Sequence, residues 1–250
     1  MFITPDIYKL TIPLCDVYTC VFLIRTPEGN ILYDTATYPE DMDRYIFPML
    51  RELGAPHTVV LSHNHEDHAG GLARLLECYP EIQVCAGSEK LRPHRILSDG
   101  ERLLGSITAH TLPGHTKDSI ALLDGRTGTL LTADGLQLYG LYGEGEWGTN
   151  IRFIPQHLEA LKKLKALEIN ALFTSHDFHP LGDHALGCAG VEAYLNDCAQ
   201  AIYQLADFVK NHISMDDQAI ANAYREETHL PPLSPLVIAA YRRTIANGDI

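Results

Sequence analysis

The sequence contains no dense run of lysine or arginine, and its 32 acidic residues outnumber its 19 basic ones. The resulting formal net charge of −13 repels phosphate backbones, so we expect no nucleic-acid partner. No run of about eighteen apolar residues is present, which argues against a transmembrane helix and a membrane partner. The first ten residues lack the basic and apolar regions of a signal peptide, so the expected location is cytoplasmic.

Two common kinds of site are also missing. None of the six cysteines forms a C-x-x-C pair, which argues against a structural zinc ribbon. In a reducing compartment we expect these cysteines to be core or near-surface thiols. The chain also lacks a G-x-S-x-G nucleophile elbow, so a serine hydrolase of that type is not indicated.

The 250 residues, 46% of them hydrophobic, are enough for one α/β domain with a modest extension. We divide the chain into a main domain, 1–187, and a helical C-terminal extension packed on its core, 188–250. Apolar runs predict strands at 18–26, 31–34, 58–61, 82–85, 106–112, 119–123, 129–132 and 171–174. Helical spacing predicts helices at 41–53, 72–78, 155–167, 191–210, 216–225 and 235–245.

The segment that carries the chemistry follows the predicted strand at 58–61 and reads SHNHEDHAGG. Imidazole and carboxylate groups suit zinc, iron and manganese. A tight turn can direct His63 and His65 at one ion while Asp67 and His68 face a second. A helix suits this pattern less well, because residues two apart do not share a helical face.

Five motifs in order across residues 5–180 resemble the metallo-β-lactamase superfamily. They are LYDTA with Asp34, the HNHEDH cluster, LPGHTKDSI with His115, LLTADG with Asp134 and LFTSHD with His176. The resemblance implies an α/β fold in which four layers form an αββα sandwich. Residues 188–250 would be a helical addition to that sandwich.

Residue by residue, the resemblance implies two metal sites. The first metal would be bound by His63, His65 and His115, and the second by Asp67, His68 and His176. Asp134 would bridge both ions, and Asp34 would orient a ligand imidazole. On composition alone any of His176, His179 and His184 could be the last ligand, and the strand-end position of His176 favours it. Two zinc ions are expected, although iron or manganese suit the same donors.

The implied reaction is hydrolysis of a small-molecule thioester, lactone or other carboxylic ester by a metal-bridging hydroxide. Asp67 and Asp134 would serve catalysis through the metals that they hold. One alternative is an iron-dependent redox protein with the same ligands, and another is a phosphodiesterase-type member. The helical C-terminal region resembles that of glyoxalase-II-like thioesterases. Lactonase-like members carry a tyrosine shortly after the bridging aspartate, and this chain has Gln137 near that place and Tyr139 two residues further on. The C-terminal helices could cap the site, pack on the core or pair with another subunit in a homo-oligomer.

The loop at 135–150 follows the expected bridging aspartate and is rich in aromatic residues. Tyr139, Tyr142 and Trp147 are candidates for an apolar wall or lid, and an ordinary packed loop is the alternative. Lys117 is a candidate for contact with a substrate carboxylate, and a solvated lysine is the alternative. Four glycines of this loop would supply mobility: Gly140, Gly143, Gly145 and Gly148.

Overall fold

Two mixed β-sheets, packed face to face, form the frame of the molecule in the computed structural model, which describes residues 1–143 and 146–250. The first sheet has seven strands in chain order, antiparallel from β1 to β4 and parallel from β4 to β7. Its strands are β1 (Phe2–Thr4), β2 (Ile7–Leu14), β3 (Val17–Thr26), β4 (Gly29–Tyr33), β5 (Pro56–Leu61), β6 (Gln83–Ala86) and β7 (Arg95–Ile96).

The second sheet has the order β13-β12-β14-β11-β10-β9-β8, with β15 also paired to β14. Only the β11–β14 pair is parallel among its described pairs. Its strands are β8 (Glu101–Arg102), β9 (Ile107–Thr111), β10 (Ile120–Asp124), β11 (Thr129–Leu131), β12 (Gly140–Leu141), β13 (Trp147–Gly148), β14 (Ala171–Phe178) and β15 (Gly182–Leu186).

Alternation along the strands places apolar side chains on both faces of each sheet. In β3, Phe22 and Ile24 face the second sheet, whereas Val21 and Leu23 belong to the cluster on the opposite face. Strand side chains alternate in this way because the pleat repeats every two residues. Both faces are therefore buried, which requires a further layer outside each sheet.

Helices supply those outer layers, so the molecule is the expected four-layer αββα sandwich. The first sheet is covered by α1 (Pro39–Asp41), a π-helical turn (Met42–Ile46), α2 (Phe47–Leu53), α3 (Glu66–Ala69) and α4 (Leu72–Cys78). The second sheet is covered by α5 (Ile154–Lys165), α6 (Gly187–Asn211), α7 (Asp217–Thr228) and α8 (Pro235–Ala246). Among the described residues, no helix is both long and apolar enough to cross a membrane.

The C-terminal helices share one hydrophobic core with the second sheet. Leu195 and Ile202 of α6 belong to the same buried cluster as Leu130 of β11 and Leu161 of α5. The division of the chain at residues 187 and 188 stays a prediction.

Three local features differ from the expectations. The helix expected at 41–53 is interrupted by the π-helical turn Met42–Ile46, and α2 begins directly after it at Phe47. The interruption lies just before Pro48, which has no N–H with which to continue the regular helical hydrogen bonds. The strand expected at 171–174 extends to Phe178, so His176 lies within β14 and not after its end. The β1–β2 region, which was not anticipated, forms the edge of the first sheet.

Candidate metal centre

The histidine cluster lies on the turn after β5 and continues into the short helix α3. His63 and His65 precede this helix, whereas Asp67 and His68 lie within it. The expected turn is therefore only half of the arrangement. The chain then passes so close to its neighbours that a Cβ on Gly70 would lie 2.0 Å from the Thr37 carbonyl oxygen. Glycine is thus required to let α3 approach the loop that follows β4.

Asp34 joins this turn to the end of β4. It has a left-handed backbone conformation (φ 67°), which aspartate tolerates better than most residues. Its Oδ1 accepts a hydrogen bond from the Ser62 backbone N–H (2.7 Å), and its Oδ2 accepts from the Ser62 hydroxyl (2.8 Å). The same Oδ2 lies 2.7 Å from His68 Nδ1. This contact places the proton on Nδ1 and leaves His68 Nε2 free to bind a metal.

A first group of three imidazoles faces one point. His65 Nδ1 lies 3.1 Å from His63 Nε2 and 2.8 Å from His115 Nε2. These separations are close to the value of about 3.3 Å expected between donors around a tetrahedral zinc ion. The group can supply three neutral nitrogen ligands and leave one coordination position open.

A second group combines two imidazoles with two carboxylates. His68 Nε2 lies 3.3 Å from Asp67 Oδ2 and 3.2 Å from Asp134 Oδ1. His176 Nε2 lies 3.2 Å from the same oxygen of each aspartate. The other oxygen of Asp134, Oδ2, lies 3.7 Å from His115 Nε2 in the first group. Asp134 therefore stands between the two groups, as a bridging carboxylate must.

Unpartnered buried atoms show that this donor set fits metal ions. His68 Nε2 and Asp134 Oδ1 are both buried, and neither makes a hydrogen bond within the described residues. Buried polar atoms in proteins are nearly always satisfied, so such orphans need another partner. A divalent cation held by the second group would supply that partner for both atoms. The set of nitrogen and oxygen donors does not distinguish zinc from iron or manganese.

Protonation in the first group already favours metal binding. Burial lowers the pKa of His115 to about 4. Burial also lowers the pKa of His63 well below its usual range and lowers that of His65. All three imidazoles are consequently neutral near pH 7 and can offer their lone pairs.

Protonation in the second group is governed by the carboxylates. Burial favours neutral His68, but Asp67 and Asp134 outweigh it and raise the pKa of His68 well above its usual value. Burial likewise opposes protonation of His176, whereas Asp134 raises the pKa of His176 to about 10. A metal ion bound to both Nε2 atoms would replace two protons, so metal binding here is coupled to proton release.

His176 is oriented from behind by the first sheet. Its Nδ1 donates to the Tyr18 carbonyl oxygen at 2.6 Å, which directs Nε2 toward the carboxylates. The Tyr18 hydroxyl donates to Asp183 at 2.8 Å, and Asp183 also forms an ion pair with the nearly buried Lys9. The other two candidate histidines lie elsewhere: the ring of His179 packs on that of Tyr142, and His184 pairs with Asp183.

His115 is held by contacts that the sequence did not reveal. Its Nδ1 lies 3.1 Å from the Gln137 amide nitrogen, and the Gln137 oxygen accepts from the Asn150 backbone N–H at 2.7 Å. Beneath the loop, His157 of α5 donates from Nδ1 to the Pro113 carbonyl oxygen at 3.0 Å. A Cβ on Gly114 would lie 2.2 Å from that same Nδ1, so only glycine fits above the His157 ring.

A cavity of about 630 Å³ opens over both ligand groups. This volume is in the usual range for a small-molecule site. Most of its lining is apolar and comes from both sheets and from α8, which contributes Leu236 and Val237. The C-terminal helices therefore form part of the wall of the site. The polar lining includes the metal-facing side chains and also Gln137, Thr149 and Arg152.

The four side chains expected to meet the substrate are distributed differently. Trp147 lines the cavity and is 47% exposed. Tyr139 donates from its hydroxyl to Gln204 on α6 at 2.6 Å and packs against the helical core, away from the cavity lining. Tyr142 and the exposed Lys117 are also not among the described lining residues. Of the four loop glycines, Gly145 lies outside the described residues.

Sequence reasoning did not identify Thr149, Arg152 or the α8 residues as part of this site. Gln137 was noted only for its position shortly after Asp134. Thr149 and Arg152 follow the glycine-rich loop, which was the one available signal. The approach of α8 depends on packing between distant segments, for which the local pattern contains no information.

Comparison with known proteins gives matches of three kinds. A family model described as the metallo-beta-lactamase superfamily matches residues 16–101. An uncharacterised protein of Bacillus subtilis, YobT, is 31% identical over 134 residues, covering 41% of this chain and 57% of that protein. A hydroxyacylglutathione hydrolase of Francisella tularensis is 27% identical over 173 residues, covering 66% of this chain and 68% of the hydrolase.

Solved structures share the fold at low sequence identity. A metallo-beta-lactamase from Erythrobacter litoralis has a TM-score of 0.64 at 17% identity, over 80% of this chain and 95% of that one. The sec-alkylsulfatase Pisa1 from a Pseudomonas species has a TM-score of 0.70 at 16% identity and covers all of this chain with 50% of its own. A flavo di-iron protein mutant from Thermotoga maritima has a TM-score of 0.57 at 16% identity, over 73% of this chain and 53% of its own.

Proposed function

We propose that the chain is an enzyme of the metallo-β-lactamase superfamily that hydrolyses a small-molecule thioester, lactone or other carboxylic ester with two bound divalent metal ions. The observation that carries the proposal is the pair of complete ligand groups joined by Asp134 beneath one cavity. The similarity to a hydroxyacylglutathione hydrolase, a thioester hydrolase, supports the ester class. We propose zinc as the resident metal.

The metal ions, when bound, lower the pKa of water toward about 7 and polarise the scissile carbonyl group. The protein's own residues prepare that chemistry. The three imidazoles of the first group bring no charge, whereas Asp67 and Asp134 concentrate negative charge on the second group. The first group would therefore hold its ion with neutral imidazoles, whereas the second group would hold its ion with two carboxylates as well, so the two sites would differ in charge.

Hydrogen bonds from the surrounding protein hold the ligand imidazoles in place, so that these side chains need not reorient during the reaction. Asp34 fixes His68, and the Tyr18 carbonyl fixes His176, each through the ring nitrogen that faces away from the ligand group. These partners are on β-strands or at their ends, where the backbone is held by ladder hydrogen bonds. These contacts hold the imidazoles of His68 and His176 in the orientation in which they would bind a metal ion.

The cavity favours a small substrate with an apolar part. Trp147 and Leu141 form one side, and Leu236 of α8 lies on the helical side. We propose a small-molecule partner and neither a nucleic acid nor a membrane, in keeping with the acidic charge of the chain. The cytoplasmic location and the homo-oligomer also stay predictions; six free cysteines support a reducing compartment.

The direct test is activity profiling of zinc-loaded and iron-loaded protein on thioesters, lactones, phosphodiesters and β-lactams. We expect ester hydrolysis that is lost on chelation and restored by metal. Asp134→Asn should lower kcat/KM by at least about 100-fold, because a neutral amide bridges two cations poorly. Asp207→Asn, at a surface aspartate that is 72% exposed on α6, is the matched control and should retain activity. Full ester hydrolysis by Asp134→Asn would contradict the proposal.

A redox protein with iron on the same ligands is the second candidate. The fold likeness to a flavo di-iron protein is the observation that favours it. Ester hydrolysis by the iron-loaded protein under strictly anaerobic conditions separates the two, because hydrolysis needs no electron acceptor. Oxygen consumption without any ester hydrolysis would select the redox function.

A further inference from the structure

Arg152 is a cation in the cavity wall, and no carboxylate within the described part of the chain forms an ion pair with it. Its backbone N–H donates to the Gly114 carbonyl oxygen at 2.8 Å, which places the residue beside His115. The side chain lines the cavity together with His65 and His115. Within residues 1–143 and 146–250 it forms no ion pair, and its buried Nε has no hydrogen-bond partner. A buried donor left unpaired destabilises the protein, so a ligand that accepts from it is favoured.

Thr149 provides a second, independent polar group at the same place. Its side chain is only 7% exposed, and its Oγ1 is buried without a hydrogen-bond partner in the described part of the chain. Like Arg152, it lines the cavity and lies on the segment that leads from β13 to α5. Two unpartnered donors three residues apart indicate a prepared site for an acceptor.

The charge around these donors selects an anion. The neighbouring ligand group consists of the three imidazoles of His63, His65 and His115 and contains no carboxylate, so a divalent ion held there would keep most of its positive charge. Among the described lining residues Arg152 is the only lysine or arginine. The carboxylates of Asp67 and Asp134 lie with the second group instead. The exposed Glu66 is the third carboxylate of the described lining, and Arg152 carries its only guanidinium group, which is the group that would bind an anion.

We propose that Arg152, assisted by the Thr149 hydroxyl, binds a carboxylate carried by the acyl part of the substrate. A planar guanidinium matches a carboxylate with two parallel hydrogen bonds, and the hydroxyl can donate a third. The apolar remainder of the substrate packs against Leu141, Trp147 and Leu236. This inference rests on the proposed function and names its substrate class as esters or thioesters of dicarboxylic acids.

A binding experiment tests the inference without depending on turnover. Trp147 is the only tryptophan of the chain and lines the cavity, so its fluorescence reports ligand entry. The zinc-loaded protein is titrated with two non-hydrolysable thioethers of the same thiol. One carries a succinyl-like chain that ends in a carboxylate, and the other carries the matching carboxamide. We expect the carboxylate to bind about 10- to 100-fold more tightly.

Two variants that each remove one positive charge distinguish a direct contact of Arg152 with the carboxylate from a general electrostatic effect. Arg152→Gln should reduce the preference for the carboxylate to less than about threefold. Lys117→Gln removes a cation that lies over the Phe153 ring and outside the cavity lining, and it should keep the wild-type preference. Thr149→Val should reduce the preference by a smaller factor than Arg152→Gln. An unchanged preference in Arg152→Gln, or an equal loss in Lys117→Gln, would overturn the assignment.

Hydrolysis of succinyl and succinamoyl thioesters of the same thiol then keeps the two proposals apart. If Arg152→Gln raises KM for the succinyl substrate only, the carboxylate site is supported. An equal loss of kcat for both substrates would assign Arg152 to the reacting oxygen and overturn the inference. If neither thioester is hydrolysed, while the binding preference and its loss are seen, the ester-hydrolase proposal fails and the anion site stands.

Discussion

Three of the ligand imidazoles have a neighbour that fixes which ring nitrogen carries the proton. His63 Nδ1 contacts the Ser62 hydroxyl at 2.9 Å, His68 Nδ1 contacts Asp34, and His176 Nδ1 contacts the Tyr18 carbonyl. Each of these three neighbours can accept a hydrogen bond from a protonated Nδ1, which leaves Nε2 of the same ring as the metal ligand. His115 is different, because the group facing its Nδ1 is the amide nitrogen of Gln137.

Replacement of Gln137 by glutamate should strengthen metal binding by the first group. The Gln137 oxygen is engaged by the Asn150 N–H at 2.7 Å, so the amide nitrogen is left for His115. A carboxylate would accept from both neighbours and make Nε2 of His115 a better ligand. We expect about 10-fold tighter zinc binding in Gln137→Glu, measured by competition with a chromophoric chelator.

Gln137→Met serves as the control for that change, because it has similar length but no acceptor. It should bind zinc no more tightly than the wild type. Equal affinities in the glutamate, methionine and wild-type proteins would show that Gln137 does not influence the first metal.

At the level of single residues, the sequence was informative where spacing alone defines a motif. The cluster from His63 to His68 and the distant Asp134 and His176 come together as the resemblance implied. The neighbours that orient them were mostly not foreseen, and only Asp34 was. Gln137, Thr149 and Arg152 carry no motif, because their roles arise from contacts between segments that are far apart in the chain.

Elements support the centre from outside the ligand groups. The loop that carries His115 rests on α5, where His157 donates to the Pro113 carbonyl oxygen and Gly114 passes directly above the imidazole. Complete burial lowers the pKa of His157 to about 4. The ring is therefore neutral in the folded protein near pH 7.

The free energy of unfolding should fall on acidification because of His157. The unfolded chain binds a proton at a pKa of about 6.5, whereas the folded chain binds it only near pH 4. Burial of neutral His157 therefore contributes fully to the free energy of unfolding above pH 6.5, and this contribution is lost as the pH falls from 6.5 to 4. The total loss amounts to about 3 kcal/mol. Denaturant unfolding of metal-free protein at several pH values measures this slope.

Two variants test the assignment of that slope. His157→Asn keeps an N–H near the Pro113 oxygen, but its side chain does not titrate. Between pH 6.5 and 4 the free energy of unfolding of this variant should therefore fall by about 3 kcal/mol less than that of the wild type. His229→Asn changes an exposed histidine after α7 and should keep the wild-type slope. If His157→Asn and the wild type decline in parallel, burial of neutral His157 is not the cause.

Element boundaries were predicted best where apolar periodicity continues to the end of the element. The helices at 72–78 and 235–245 agree closely with α4 and α8. Strand β14 was underestimated beyond Thr174, because Ser175 and His176 read as a polar loop although both are buried. Their polarity is satisfied by partners from other segments, such as the Cys20 carbonyl that accepts from Ser175.

On the scale of the whole molecule, the fold separates two tasks. The two sheets bring strand ends together and hold the ligand groups, while the C-terminal helices complete the cavity through Leu236 and Val237. The α/β sandwich was predictable from the order of motifs and strands. The inward position of α8 was not, because the amphipathic pattern of a helix shows that it packs but not where.

The central claim is that the two ligand groups bind one metal ion each, and metal content per chain tests it most directly. Elemental analysis after dialysis against trace zinc should give two zinc ions in the wild type and about one in either His115→Ala or His68→Ala. His184→Ala, which alters a histidine outside both groups, should retain two. A wild-type protein with one ion or none, or variants that keep both ions, would contradict the two-metal centre.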